Sequence, residues 1–375
     1  MAYSDLYPVR LPPALESLSL LGKAGVRGFP QLDSAQALLM AVLQNPPLPL
    51  EGPLLNLTAM SGVSGAMFRE LEPTLVERSR AALNVLESQG FNVTRALPSQ
   101  LEGEYATVLV TLPADRGNDA VDEVVRAAFR LTKVGGTCYV AGDKDRGFER
   151  YFKRAREHFG EGEILERHKG LRVAGFRKTR AEVLEPTLKP TLEFGEYEFE
   201  GLKIATLPGV FSAKGVDAAT KLLLEFLGEH LPSLEGQRVL DIGAGAGVIG
   251  SWAASRGAKV TLLEDDWGGV LCSERTLERS GLSGEVLHSD VGSALPAFAQ
   301  FDTVLSNPPF HVGGDLILEV AEEFIALAAR ALPRGGNFYL VANVFLLYEP
   351  LLERFFKLSS SIRNRSFKVL CGQKR

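Results

Sequence analysis

At 375 residues, with 45% hydrophobic and 23% charged content, the chain is long enough for two domains with full cores and has the composition of an ordinary globular protein. Its formal net charge of −5 excludes a globally basic nucleic-acid binder, although not a local basic face. The three cysteines, Cys138, Cys272 and Cys371, are odd in number and far apart, so they read as small buried or semi-buried residues of a reducing cytosol and not as a disulfide framework. No histidine stands at a metal-ligand spacing from a cysteine or another histidine, and no metal is expected. The start, MAYSDLYPVRLPPALE, lacks a charged stretch followed by an apolar one. No apolar run is long enough to cross a bilayer. A cytoplasmic protein without a membrane partner is expected.

In the first half, three stretches stand out: Leu54 to Gly65 (LLNLTAMSGVSG), Val108 to Pro113 (VLVTLP) and Thr132 to Asp143 (TKVGGTCYVAGD). Lys144 to Arg156 is rich in cations. Within it Arg146, Arg150, Lys153 and Arg154 fall at helical i, i+4, i+7, i+8 spacing, which predicts one cationic face. Phe148, Tyr151 and Phe152 are interleaved; they suit either stacking on bases or the buried side of that helix. A solvated surface helix is the plain alternative, since Glu149 and Glu157 dilute the charge. Residues 181–190, AEVLEPTLKP, carry two prolines and read as a linker between domains 1–185 and 191–375.

The second half opens with Thr191 to Leu207, whose alternation around Gly195 and Gly201 predicts a short antiparallel pair. Pro208 to Asp217 (PGVFSAKGVD) reads as a loop. Ala219, Leu222, Leu223, Phe226 and Leu227 then fall on one helical face. Val239 to Gly250, VLDIGAGAGVIG, is a β-branched run ending in Asp241, a turn with Gly243, Gly245 and Gly247, and a small-residue helix start. Alternate glycines let the backbone turn sharply and approach a ligand. The embedded G-x-G-x-x-G (Gly245, Gly247, Gly250) reads as a dinucleotide-binding fingerprint or a plain tight turn, and a nucleotide-like cofactor is the expectation.

Lys259 to Glu264 (KVTLLE) is the next strand and runs into Asp265 and Asp266, carboxylates suited to ribose hydroxyls. Glu285 to Ser289 leads to Asp290 and Val291. The strand Asp302 to Leu305 leads to Ser306-Asn307-Pro308-Pro309-Phe310-His311. Strands and helices alternate to Val341, which implies a mainly parallel sheet covered on both faces.

The two halves repeat. Leu54 to Gly65 aligns with Val239 to Gly250, VLVTLP with Val304 to Pro309 (VLSNPP), and Thr132 to Asp143 with Leu332 to Asn343 (LPRGGNFYLVAN). Three matches in one order indicate a duplicated domain. The first copy has Asn56, Thr58 and Met60 where the second has Asp241, Gly243 and Gly245, and Thr111 and Leu112 where it has Asn307 and Pro308. A methionine at a close-approach turn fills the ligand's space, so the first copy is expected to be non-catalytic, serving as scaffold or substrate-recognition module.

Strand, Asp-x-Gly-x-Gly-x-Gly, acidic strand end and Asn-Pro-Pro-Phe in one domain resemble the class I S-adenosylmethionine-dependent methyltransferases that modify planar exocyclic nitrogens. Pro208 to Ser212 (PGVFS), Ser306 to His311 (SNPPFH), Val341 to Tyr348 (VANVFLLY) and the degenerate first copy resemble the RsmC family. That resemblance implies an α/β fold of two tandem Rossmann-like domains, each a mainly parallel seven-stranded sheet, with an antiparallel closing strand near Ser361 to Cys371. It implies methyl transfer to N2 of a guanine in helix 34 of 16S ribosomal RNA, with S-adenosylhomocysteine as product. The partner would be that RNA or the small ribosomal subunit, and a monomer is expected. Gly243, Ala244, Gly245 and Gly247 would cradle the cofactor's methionine end, with Asp241 orienting the loop. Glu264 and Asp265 would hold the ribose, and Asp290 with Val291 would meet the adenine amine.

Chemistry then assigns the remaining roles. A guanine amine is a poor nucleophile; two acceptors, the Asn307 side-chain oxygen and the Pro308 carbonyl, can hold its N–H bonds and aim its lone pair. The prolines stiffen that loop. Phe310 can stack on the base, His311 is a proton relay or a plain polar residue, and Phe211 closes over the site or lies in the core. An extruded guanine is expected. A 23S guanine, an adenine N6 or a protein glutamine N5 presents the same hydrogens, and a non-catalytic RNA-binding assembly factor is the alternative of a different class.

Overall fold

The computed structural model describes residues 3–181, 192–309, 311–312, 315–316, 318–359 and 362–375. The expected linker lies, from 182 onwards, outside the described residues, and so does Phe310. The chain divides into two compact units, Met1–Glu193 and Phe194–Arg375.

In the first unit a short pair, β1 (Tyr7–Pro8) and β2 (Leu21–Gly22), precedes α1 (Ser34–Leu43). Asp33 caps that helix, its carboxylate accepting from the Ala35 and Gln36 amides. There follow β3 (Leu54–Asn56), α2 (Val63–Met67), β4 (Thr74–Glu77), α3 (Arg80–Ser88), β5 (Val93–Arg95), β6 (Tyr105–Thr111) and α4 (Asn118–Leu131). β7 (Thr132–Asp143), α5 (Phe148–Phe159), β8 (Gly160–His168) and β9 (Leu171–Lys178) complete it. The strands form one sheet in the order β5-β4-β3-β6-β7-β9-β8, parallel except where β9 meets β7 and β8. β3 and the centre of β6 are wholly buried, because helices cover both faces of a parallel sheet.

The second unit opens with the antiparallel pair β10 (Gly195–Phe199) and β11 (Leu202–Thr206), as the alternation predicts. Then come α6 (Ala218–His230), β12 (Arg238–Ile242), α7 (Val248–Ala254), β13 (Lys259–Glu264), α8 (Trp267–Arg279), β14 (Gly284–His288) and β15 (Thr303–Ser306). After the two-residue strands β16 (His311–Val312) and β17 (Asp315–Leu316) follow α9 (Leu318–Ala331), β18 (Asn337–Asn343), α10 (Glu349–Leu352), β19 (Phe356–Leu358), β20 (Ile362–Arg363) and β21 (Phe367–Lys374). The sheet order is β14-β13-β12-β15-β18-β21-β19, with β20 also paired to β21, so one short strand is added to the expected seven. β21 is antiparallel to β18, as the resemblance implies.

Register makes the duplication explicit. Asn56 pairs with Leu75 and Leu109, and Asp241 pairs with Leu262 and Leu305, in the same places of the two sheets. Among the described residues no helix is long and apolar enough to cross a membrane. The three cysteines are buried and free.

Candidate active site

Ligands in such sheets bind beyond the carboxyl ends of the strands, and Asp241, Glu264, Asp290 and Asn307 stand at or just past such ends in the second unit. Asp241, the penultimate residue of β12, has no exposed surface. Its Oδ2 accepts from the Gly250 amide at 2.8 Å, tying the strand end to α7, while Oδ1 has no hydrogen-bond partner among the described residues. Burial pushes this carboxyl up to about 7, against the lowering effect of the Gly250 bond.

The turn between them holds Gly243, Gly245 and Gly247 at φ 80°, 58° and 78°. Space is tight around Gly243, where an added Cβ would lie 3.0 Å from the Phe324 ring, but open at Gly245, where it would meet only Phe211 Cβ at 3.9 Å. Glu264, half-buried at the end of β13, braces this turn. Its Oε2 accepts from the Gly245 amide at 2.6 Å and its Oε1 from the Asp266 amide at 2.8 Å. Burial and then the neighbouring Asp266 charge push it up to about 7, opposed by those two amides. Each carboxylate oxygen keeps a second lone pair, so the same group can also accept ribose hydroxyls. Ser273, on α8, donates to the Gly245 carbonyl at 3.0 Å, a brace the sequence does not announce.

Ala244 is buried in the turn and its amide donates to the Leu263 carbonyl at 3.0 Å. Asp265 lies where β13 passes into α8, and its carbonyl contacts His288 Nε2 at 2.8 Å. Asp290, two residues past β14, is buried. Val291 beside it has φ 49°, an unfavourable value for a β-branched residue, and its carbonyl accepts from Ser289 Oγ at 2.8 Å. Phe211 is 64% exposed, which excludes the core alternative and leaves it at the mouth over Gly245.

Asn307 follows β15 directly. Its Nδ2 donates to Thr220 Oγ1 at 3.0 Å and to Asp217 Oδ1 at 3.4 Å. Asp217 is the cap of α6, accepting from the Ala219 and Thr220 amides at 3.0 Å, and Ser212 Oγ donates to its Oδ2 at 3.2 Å. A carboxylate only accepts, so Nδ2 must face it, and Oδ1 is the amide atom left to receive a substrate hydrogen. Pro308 is buried and Pro309 exposed. His311 lies in β16, which pairs with β17. Asp217 and Thr220, which hold the Asn307 amide, are the site partners that sequence reasoning missed. In the sequence Asp217 is only the last residue of the loop Pro208 to Asp217, and Thr220 lies between Ala219 and Leu222 of the helical pattern without carrying a signal.

In the first unit the same turn keeps its backbone without its space. Met60 stands at φ 52°, and its amide donates to Glu77 Oε2 at 3.0 Å as Gly245 does to Glu264. Its side chain is 5% exposed. Asn56 replaces the buried acid and is doubly satisfied, donating to Ser64 Oγ at 2.7 Å and accepting from the Thr58 amide at 2.9 Å.

The single cationic face predicted for Arg146, Arg150, Lys153 and Arg154 needs correction. Arg146 belongs to a 3-10 turn, and Gly147 at φ 88° separates it from α5, so it is not on that helix. Arg150 donates to Asn118 Oδ1 at 2.7 Å and Arg154 pairs with Asp122 Oδ1 at 2.5 Å, both on α4. Lys153 is exposed. With Asn118, Asp122 and Glu157 these side chains line an open cleft of about 480 Å³ with mixed charge. Phe148 and Tyr151 are buried, the non-stacking alternative.

A parallel sheet ordered in this way, a glycine turn backed by an acidic strand end, and a polar amide held at the next strand end define a class I methyltransferase. Residues 201–371 match the family model of the methyltransferase small domain. Ribosomal RNA small subunit methyltransferase C of Enterobacter sp. (strain 638) is 37% identical over 303 residues, spanning 76% of this chain and 85% of that protein. The Salmonella paratyphi A protein of the same name is 36% identical over 315 residues, spanning 80% and 89%. The solved structure of T. thermophilus 16S rRNA N2 G1207 methyltransferase (RsmC), in complex with AdoMet and guanosine, superposes with a TM-score of 0.89 at 40% identity, covering 100% of this chain and 99% of that one. The chain belongs to the ribosomal RNA small subunit methyltransferase C (RsmC) family.

Proposed function

We propose that this chain transfers a methyl group from S-adenosylmethionine to the exocyclic N2 of one guanine of 16S rRNA, in helix 34 of the small ribosomal subunit, and that it acts as a cytoplasmic monomer. The observation that carries the reading is the Asn307 amide, held by Thr220 and Asp217 so that its oxygen is left to accept. The open face of Gly245, the acceptor Glu264 and the unpartnered Asp241 Oδ1 suit the cofactor. Gly243, Gly245 and Gly247 would lie against its methionine end, Glu264 and Asp265 would hold the ribose, and Asp290 with Val291 would meet the adenine.

Bound S-adenosylmethionine supplies an electrophilic methyl on a sulfonium. The protein's work is positioning. Asn307 Oδ1 and the Pro308 carbonyl accept the two N–H bonds of the guanine amine, which turns its lone pair towards the donor. Phe310 stacks on the base, and Phe211 covers the mouth. No strong base is required, because the amine becomes acidic as the new bond forms; His311 stands next in the chain to take that proton. The first copy, with Met60 in its turn, serves as the recognition module, with the exposed Arg146 and Lys153 on the RNA side, whereas Arg150 and Arg154 are held by Asn118 and Asp122 of α4.

Reaction with tritiated cofactor followed by nucleotide mapping tests this. Label in a single N2-methylguanine of 16S rRNA is expected. Label in an adenine, in 23S RNA or in protein overturns the assignment.

A further inference from the structure

The loop that leaves β18 has a regular two-sided build that packing within the unit does not explain. The Leu346 amide donates to the Asn343 carbonyl at 3.1 Å, and the Val344 amide to the Ser366 carbonyl at 3.0 Å. Leu346 and Tyr348 are buried, 4% and 1% exposed, whereas Phe345 and Leu347 between and before them are 64% and 75% exposed. Lys368, itself buried, locks the loop's far end by donating to both oxygens of Glu349, at 2.6 and 2.9 Å. Two large apolar side chains are thus held in water by a frame that fixes their neighbours.

Cations stand beside them. Ala342 and Arg363 both pair with Lys368, so β18 and β20 flank β21 at the same end of the sheet. Asn364 Oδ1 accepts from the Ser366 and Phe367 amides at 2.8 and 2.7 Å and closes the turn after β20. This leaves Arg363 and Arg365 exposed, and among the described residues neither has an ion-pair partner. β18 also pairs with β15, Leu340 opposite Ser306. The Phe345 loop therefore leaves the sheet next to the strand end that carries Asn307.

We propose that Phe345, Leu347, Arg363 and Arg365 form the seat for the single-stranded rRNA segment flanking the target guanine. The inference rests on the rRNA methyltransferase reading given above. Extruding a guanine deprives its neighbour of a stacking partner, and an exposed aromatic ring beside the catalytic loop replaces that partner. Two unpaired guanidiniums suit the phosphates of that segment, on a protein whose net charge of −5 otherwise repels a polyanion. An apolar patch flanked by unpaired cations fits a nucleic acid, which offers bases and phosphates together.

The test compares the full chain with Phe345→Ala, Phe345→Tyr and the double change Arg363→Glu, Arg365→Glu. Binding to a protein-free 16S rRNA transcript is read by fluorescence anisotropy across a salt series, alongside methylation kinetics and S-adenosylmethionine affinity. Phe345→Ala should weaken RNA binding and raise KM for RNA about tenfold, the loss of one base stack, with Phe345→Tyr near wild type. The double arginine change should lower the salt slope by about two. Cofactor affinity and melting temperature should stay unchanged, since the altered side chains are exposed. Wild-type RNA affinity in both the Phe345→Ala and the arginine variants overturns the seat. So does a defect confined to assembled 30S subunits, which would assign the patch to a ribosomal protein. Failure of the wild type to methylate guanine would instead sink the proposed function, and the binding series would still decide the seat.

Discussion

The Asn307 amide nitrogen lies 3.0 Å from the Thr220 hydroxyl, across 87 residues of sequence. The contact joins the first turn of α6 to the end of β15, and together with Asp217, which only accepts, it holds Nδ2 and leaves Oδ1 as the amide's free acceptor. In the proposed mechanism Thr220 touches no reacting atom and acts as a positioning residue. Thr220→Val should lower kcat by on the order of tenfold to a hundredfold, the scale of a small misplacement of a reacting group. The KM for RNA and the affinity for cofactor should hold, and Thr220→Ser should recover most of the rate. Single-turnover methylation with each variant checks this; equal rates in Val and wild type would show that the amide needs no such brace.

Gly245 and Met60 share a backbone conformation and differ in what stands in front of it. The Gly245 position opens to space, whereas Met60 carries a buried side chain. Calorimetric titration should therefore find one S-adenosylmethionine site per chain. Gly245→Met should abolish it and Met60→Gly should leave it untouched. Two sites of comparable affinity would overturn the reading of the first copy as non-catalytic.

Asp241 carries a folded-state pKa raised from 3.8 to about 7 by burial. The folded chain then holds this proton where the unfolded chain has lost it, so this residue's contribution to stability declines as pH rises from about 4 to about 7. Glu264, raised from 4.5 to about 7, adds in the same direction. Asp241→Asn, the residue the first copy already uses at Asn56, should remove part of that decline. Melting temperatures at pH 5 and pH 7.5 should differ less in the variant than in wild type. An equal drop in both proteins would place the titration elsewhere.

The cations of the first unit divide by what they touch. Arg154 is engaged by Asp122, so Arg154→Ala should shift stability by less than about 1 kcal/mol, as partly exposed ion pairs do, and leave RNA binding alone. Arg146 and Lys153 are exposed, and reversing both should weaken RNA binding and flatten its salt dependence with cofactor affinity unchanged. RNA affinity untouched by that reversal would make the first unit a scaffold.

What was legible in the sequence follows from the range of the interactions. VLDIGAGAGVIG and KVTLLE define their own strand, turn and acidic end through local chemistry, so the elements fall where their residues predict. The repeat is legible because a parallel sheet holds each copy's apolar runs in one register. The cationic helix was misread because Gly147 at φ 88° breaks it, and because Asn118 and Asp122 reach its arginines from another helix. The Asn307–Thr220 contact and the outward set of Phe345 and Leu347 were not legible at all. Both arise only when distant strands and helices come together, and neither leaves a local mark in composition or spacing.

Asn307 itself is the sharpest point of test. Its proposed role is to accept a hydrogen bond from the reacting amine, an interaction worth more in the transition state than in binding. Asn307→Ala should cut the methylation rate by about a hundredfold or more, the scale of losing one preorganised polar contact, while cofactor affinity barely moves. Asn307→Asp keeps an acceptor in place, but the structure argues against rescue. The side chain would set a second carboxylate against Asp217, whose Oδ1 now accepts from the Asn307 amide at 3.4 Å. Like charges at that separation repel, and while both carboxyls are ionised the side chain turns away from Asp217, which spoils the acceptor's aim. The Asp variant should therefore be as slow as Ala at neutral pH. Lowering the pH should restore part of its activity by protonating one carboxyl, an effect absent in Ala. Near-normal guanine methylation by Asn307→Ala would show that the Asn-Pro-Pro-Phe loop does not hold the amine, and the mechanism built on it would fall.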